Sequence, residues 1–345
     1  MPLFNMTKAP VYILALESSC DDTSAAVFKN EEKLSNIIAS QSIHEAYGGV
    51  VPELASRAHQ KNIVPVVDQA LKKAGIKKED LSAIAFTKGP GLLGSLLVGS
   101  SFAKSLSMGL GIPLIGVHHM QAHILAHFIK DNEKPTPEFP FLALTISGGH
   151  TQIVKVNSHF DMQVIGKTLD DAVGEAFDKC GKMMGLGYPA GPIIDELSKQ
   201  GNPNKFKFSK PKVKDLDFSF SGLKTAVLYF LRKEEKINPN FIKENLQDIC
   251  ASFQKTVVDI LMDKLSRAIA ETGIKRVAIG GGVSANSGIR TALKEAEKEL
   301  GWDCYIPNFE YCLDNAAMIA IVAYYKYLKK DFSDLSSTSK ARFQL

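Results

Sequence analysis

The sequence predicts an α/β fold built twice, as two related domains, and three observations predict it. Leu14-Ala15-Leu16-Glu17-Ser18-Ser19-Cys20-Asp21-Asp22-Thr23 set over Leu142-Ala143-Leu144-Thr145-Ile146-Ser147-Gly148-Gly149-His150-Thr151 matches at Leu, Ala, Leu, Ser and Thr without a gap. Each half then holds a strand, a glycine-rich bend and a helix. Each half closes on a short strand and a last helix. The same parts returning in the same order mark an internal duplication.

In chain order, Val11 to Leu16 is a buried-strand run with Ala25-Ala26-Val27-Phe28 as its return partner, across the polar bend Glu17 to Thr23. Gln41 to Ala74 reads as helix, with Pro52 and Pro65 marking turns or starts. Leu81 to Phe86 is a strand leading into Gly89-Pro90-Gly91-Leu92-Leu93-Gly94 and a helix to about Met108. Ile112 to Ile115 is the short strand, and helical spacing follows from Gly116 to His127. In the second half, Lys275 to Ile279 leads into Gly280 to Asn286 and a helix to about Leu300. Cys304-Tyr305-Ile306 is its short strand, and Asp314 to Ala320 opens its last helix. The polar, proline-bearing Lys130 to Pro137 is the linker. The domains are expected to be 1–130, with the histidines, and 131–345, with the glycine loops and Asp314. The last helix is free to pack on the first domain. The polar, Ser-rich tail after Lys330 is expected to be loose.

Composition narrows the class. With 45% apolar and 23% charged residues, the 345-residue chain reads as an ordinary soluble protein. A net charge of +4 permits a nucleic-acid partner without arguing for one. Five cysteines with no C-x-x-C pair fit a reducing cytosol rather than a disulfide framework. No signal or transit peptide and no membrane-spanning apolar run are read, so a cytoplasmic protein is expected.

Four of the eight histidines fall between Gly116 and His127. Residues four apart on a helix lie about 5–6 Å from each other at Cβ. His119 and His123 could grip one ion, as could His123 and His127, and this reading is preferred to an amphipathic helix with incidental histidines. It is no zincin motif, because Met120 stands where a base-bearing Glu would follow His119. A third ligand must come from elsewhere. Asp314 holds nearly the place in its half that His119 holds in the first, and two domains facing across a cleft would bring them together. A plain helix N-cap is the other reading of Asp314. A two-His-one-carboxylate site suits Fe(II) or Zn(II).

Glycine bends at Ser147 to His150, Gly185 to Pro192 and Gly280 to Asn286 concentrate in the second half. Such bends let backbone N–H groups meet phosphate oxygens. Asp178 and Asp195 stand nearby as ribose-type carboxylates. Neither a Rossmann fingerprint nor a Walker A loop is present. Lys205 to Lys214 (KFKFSKPKVK) reads as a solvated loop, or more sharply as lysines on phosphates with aromatics on bases.

Eight motifs stand in one order: Glu17 to Thr23, Gly89-Pro90-Gly91-Leu92, His118 to His123, Ser147 to Thr151, Gly174 to Lys179, Tyr188 to Pro192, Gly281 to Asn286 and Asp314 to Met318. From about Val11 to Ala320 the chain thereby resembles the tRNA N6-adenosine threonylcarbamoyltransferase family, TsaD type. The resemblance implies an actin/Hsp70/sugar-kinase-like (ASKHA) duplicated two-domain α/β fold with an interdomain nucleotide cleft. It implies transfer of threonylcarbamoyl from threonylcarbamoyl-AMP to N6 of adenosine-37 in tRNAs reading codons that begin with A. His119, His123 and Asp314 would hold one divalent metal per subunit, Fe(II) or Zn(II). Thr145, Ile146, Ser147, Gly148, Gly149, Asp178, Gly191, Asp195 and Asn286 would bind the adenylate. The implied partners are tRNA, an inactive paralogue of TsaB type and a small ATPase of TsaE type, as in bacterial members. Gln121-Ala122 stands where the family commonly has Glu-Gly, and Ala190 where Gly is usual. The end, Ala341 to Leu345, departs from the usual Arg- and Pro-bearing one.

No Ser or Cys nucleophile has a His partner in the motifs, so direct transfer without a covalent enzyme intermediate is expected. Glu17 and Asp21 are general-base candidates by position only. A small-molecule kinase of the same fold would leave the His, His, Asp set unexplained. A metallopeptidase would lack its Glu. A non-catalytic scaffold would have no need of three ligands.

Overall fold

The structure is a computed structural model that describes residues 9–345 apart from 42–43, 45–46 and 131–134. The chain forms two compact units. The first is bounded by Met1–Gln41, Val51–Lys134 and Asn315–Gln344; the second by Ser42–Val50, Pro135–Asp314 and Leu345. Half of the expected linker, 131–134, lies outside the described residues.

In the first unit β1 (Tyr12–Glu17), β2 (Thr23–Lys29) and β3 (Glu32–Ala39) form an antiparallel meander. β4 (Ala83–Gly89) joins β1 in parallel and β5 (Leu114–His118) joins β4, giving the order β3-β2-β1-β4-β5. Ile13 to Leu16 are all at most 2% exposed. A strand covered on both faces explains why that run is apolar throughout rather than alternating. Helices α1 (Pro52–Ala74) and α2 (Leu93–Leu110) share a core with Leu14, Leu16, Phe86 and Ala103. Two short elements complete the unit: α3 (His119–Leu125) and, from the chain's far end, the helix Ala316–Leu328. The latter packs on β1, β2, β5 and α3, and every residue from Ala316 to Ala323 is buried. An all-round apolar helix is what such a position requires.

The second unit repeats the plan. β6 (Phe141–Ile146), β7 (Thr151–Ser158) and β8 (Asp161–Lys167) form the meander. β9 (Arg276–Gly280) and β10 (Asp303–Tyr305) extend it in parallel, in the order β10-β9-β6-β7-β8. Reversed, that is the first sheet's order with β6 in the place of β1. The topology establishes the duplication far more firmly than five shared residues. Between β8 and β9 run α4 (Val173–Met183), α5 (Ala190–Ser198), α6 (Ser221–Ile237) and α7 (Phe241–Thr272); α8 (Ser287–Leu300) follows β9, and the helix Ala316–Leu328 is α9.

Four expectations need correction. The helix expected over 41–74 begins at Pro52, which occupies its first turn; Gly48 (φ +65°) precedes it, and four residues of the expected start lie outside the described ones. Gly116 to His118 continue β5, and helix starts only at His119. Phe206 and Phe208 are not open for base stacking: Phe206 packs on Phe230 and Phe241, and Phe208 on Phe230. Two of the five lysines there are paired as well, Lys205 with Asp248 and Lys210 with Asp263. Finally, the tail is pinned rather than loose. Ser333 N–H donates to Leu114 O, Lys340 N–H to Lys88 O, and Gly91 N–H to Ala341 O. Phe343 packs its ring against His118, with centroids 4.6 Å apart. A Cβ on Gly89 would meet Lys340 O, so only glycine admits this strap.

Candidate metal centre and glycine-loop site

In the first unit, Glu17, Thr87 and His118 stand at or near the carboxyl ends of three parallel-paired strands, β1, β4 and β5. Ligands in open α/β sheets bind beyond such ends. Glu17 is 1% exposed, and its carboxylate accepts from Ser19 N–H and from Thr87 Oγ1 at 2.6 Å. His119 Nδ1 lies 3.0 Å from Glu17 Oε2 and 3.3 Å from Ser19 Oγ. A carboxylate only accepts, so Nδ1 carries the proton and Nε2 is left as the lone-pair nitrogen. Both Glu17 oxygens are thus occupied, one of them by the His119 ring, which places Glu17 to orient that histidine.

The rings of His119 and His123 meet edge-on with centroids 4.8 Å apart. One ligand atom from each of His119, His123 and Asp314 lies within 4.8 Å of the others. Asp314 directly precedes Asn315, whose side chain caps α9 by accepting from Met318 N–H. The expected cap role thus belongs to Asn315, one residue on. Two imidazoles and a carboxylate, one imidazole backed by a buried carboxylate, match the donor set and outer contact of a divalent transition-metal site. The residues fit the group. His127 lies in the 3-10 turn Ala126–Phe128, beyond the helix that aligns the other two.

In the second unit the site residues follow one another in contact. Thr145 and Ile146 are buried at the end of β6, so Ser147, Gly148 and Gly149 form the accessible part of that bend. A Cβ on Gly148 or Gly149 would meet nothing within 4 Å, leaving open space over the backbone. Gly174 N–H donates to Ser147 O at 3.2 Å. One turn along α4, Asp178 accepts from Ala190 N–H at 2.8 Å. Burial raises the Asp178 carboxyl above the ordinary range, against the opposing N–H groups of Ala190 and Gly191. One turn after Gly191, Asp195 accepts from Ser287 Oγ at 2.7 Å, Ser287 N–H at 3.1 Å and Gln254 Nε2 at 3.0 Å. Asn286 donates to Gln254 Oε1 at 2.7 Å and caps α8 by accepting from Ile289 N–H. Gly281 (φ +90°) returns against Ile146 O, which an added Cβ would approach to 2.5 Å. These contacts link the bend after β6, α4, α5 and the turn before α8, the four segments that carry the nine expected adenylate residues. The Ala190 methyl packs against Gly181, where an added Cβ would come within 2.2 Å of it, so Ala190 requires glycine at 181.

A sequence profile of the TsaD type, tRNA N6-adenosine threonylcarbamoyltransferase, matches residues 32–321. The tRNA N6-adenosine threonylcarbamoyltransferase of Christiangramia forsetii is 66% identical over 98% of this chain and 100% of that protein. The chain belongs to this family. The Porphyromonas gingivalis member is 58% identical over 97% of this chain and 99% of its own length. Among solved structures, full-length HypF in its phosphate- and nucleotide-bound form covers 94% of this chain with 47% of its own, at TM-score 0.61 and 16% identity. Component A of the Acidaminococcus fermentans (R)-2-hydroxyglutaryl-CoA dehydratase covers 92% of this chain and 99% of its own, at TM-score 0.53 and 17% identity. These two likenesses show a shared duplicated α/β fold, as the resemblance implied, and nothing about chemistry.

Reading the sequence alone missed Thr87, Ser19, Gln254 and Ser287. Thr87 and Ser19 carry a weak signal, since both flank strand-end glycine or acidic bends. Gln254 lies mid-way in the 32-residue α7 with no motif around it.

Proposed function

We propose that the chain transfers a threonylcarbamoyl group from threonylcarbamoyl-AMP to N6 of adenosine-37 in tRNAs that read codons beginning with A. Near-full-length identity of 66% to a tRNA N6-adenosine threonylcarbamoyltransferase carries this reading. His119, His123 and Asp314 are the proposed ligands of one Fe(II) or Zn(II) ion. Bound there, the ion supplies Lewis acidity toward substrate oxygens.

The protein's own groups do the rest. The amine of adenine is a weak nucleophile and the carbamoyl–phosphate anhydride a good electrophile, so positioning and charge stabilisation are the useful contributions. Glu17, through Nδ1, holds His119 in one tautomer. Ser147 N–H closes the bend onto His150 O, so the backbone of Gly148 and Gly149 is the part proposed to offer N–H groups to the adenylate phosphate. Asp178 and Asp195 are the proposed ribose acceptors, and Gly191 and Asn286 complete that wall. AMP leaves directly, with no acyl-enzyme. Among the described residues no helix is long and apolar enough to cross a membrane; a cytoplasmic setting is proposed from the tRNA substrate. A TsaB-type paralogue and a TsaE-type ATPase are the proposed partners, following the resemblance.

The test is transfer of labelled threonylcarbamoyl from its adenylate to unmodified tRNA with those partners present. Label at position 37, absent with His119→Ala, is the expected result. Folded, metal-loaded protein that leaves the tRNA unlabelled would reject the reading.

A further inference from the structure

We infer that Arg290 is a positioning residue that couples the turn bearing Asn286 to the loop bearing Asp314. This rests on the reading just given, in which those two residues serve the adenylate and the metal. Arg290 lies in the first turn of α8, where its own N–H donates to Asn286 O at 3.2 Å. Its Nε donates to Ser284 O at 2.8 Å, inside the 3-10 turn Gly282–Ala285. From the same guanidinium, Nη2 donates to Pro307 O at 3.0 Å and to Cys312 Sγ at 3.1 Å. The plane stacks over the Phe309 ring, 4.0 Å from its centroid.

The spacing gives these contacts their meaning. Ser284 stands two residues before Asn286, and Cys312 two residues before Asp314. Both anchor residues are fully buried, so a shift at either is transmitted rather than absorbed by solvent-exposed side-chain freedom. The stretch from Ile306 to Leu313 has only one 3-10 turn, Phe309–Tyr311, and a loop of that kind needs anchors from outside itself. A planar fork with several fixed donors can hold both segments at once; an ammonium offers a point charge with no plane to stack. Geometry of this kind makes the two sites energetically linked, and linkage is reciprocal.

The experiment measures Zn(II) affinity with and without saturating AMP, and AMP affinity with and without Zn(II), on the full chain. In the wild type each ligand is expected to tighten the other about fivefold or more. Arg290→Lys is expected to bring that ratio close to one and to weaken each ligand alone by about tenfold, with the melting temperature little changed. Methylguanidinium added to Arg290→Ala is expected to restore part of the ratio. If Arg290→Lys does not fold, Phe309→Leu carries the same test, because that ring is 66% exposed and its loss removes only the stacking face. A wild-type ratio of one, or a ratio unchanged in the folded variants, overturns the inference alone. Wild-type protein with no Zn(II) binding sensitive to His119→Ala overturns the metal reading as well, and does so before any Arg290 variant is made.

Discussion

The two sheets share one strand order yet end in opposite chemistry. At the ends of β1, β4 and β5 the first unit is closed and polar, with a buried carboxylate spent on orienting a histidine. At the ends of β6 and β9 the second unit is open and glycine-rich, with free space over Gly148 and Gly149. Duplication thus supplied a common frame, and side-chain choice at equivalent bends divided the labour. Where Glu17 to Ser19 fold inward on His119, Thr145 to Ser147 are followed by two glycines that expose backbone.

That contrast breaks if substitutions on the two sides affect the same ligand. The largest effect is expected from Glu17→Gln, which removes the acceptor that fixes His119. Measured without AMP and by competition with a chelator, Zn(II) affinity should fall about 10–100-fold, while AMP affinity measured without Zn(II) stays within error. Asp195→Asn should do the reverse. Equal losses of both ligands in either variant would mean the sites are not chemically separate.

A smaller effect sharpens the role of glycine. Gly281→Ala puts a Cβ 2.5 Å from Ile146 O at φ +90°, and should cost about 1–3 kcal/mol in urea unfolding with weaker AMP binding. Gly148→Ala meets nothing within 4 Å and should change stability by no more than about 0.5 kcal/mol. If the two destabilise alike, the open cradle is not as described.

The smallest expected effect is on pH dependence. Burial raises the Asp178 carboxyl, against the opposing N–H groups of Ala190 and Gly191. An ionised carboxylate is the stronger acceptor for a ribose hydroxyl. AMP affinity should therefore be full above the raised value and fall as pH drops through it, at a higher pH than for an ordinary aspartate. Titration of AMP binding between neutral and acid pH reads this directly, and Asp178→Asn should flatten the profile. A wild-type profile already flat would remove Asp178 from the site.

Much of this was legible in the sequence because it is local or repeated. Helical spacing put His119 beside His123, and the matched order of the halves pointed from His119 to Asp314. Contacts between distant residues were not legible. Glu17 meets His119 across 102 positions and His118 meets Phe343 across 225, and no period or motif encodes such a pairing. For the same reason a polar, Ser-rich tail read as loose although backbone bonds hold it. The aromatics of KFKF misled in the opposite sense: the stretch read as a solvated loop, or more sharply as a nucleic-acid contact, whereas Phe206 and Phe208 lean on α6 and the start of α7.

The return of α9 to the first unit has a consequence for how the molecule is made. On the ribosome, residues 135–314 emerge as one uninterrupted stretch and can close their own sheet and helices. The first unit cannot. The face of β1 and β2 that α9 covers waits uncovered while the whole second unit is synthesised, a matter of roughly ten seconds or more at about 5–20 residues per second. A nascent chain stalled before residue 316 therefore presents an apolar sheet face to the cell, and release of the final helix is the event that hides it.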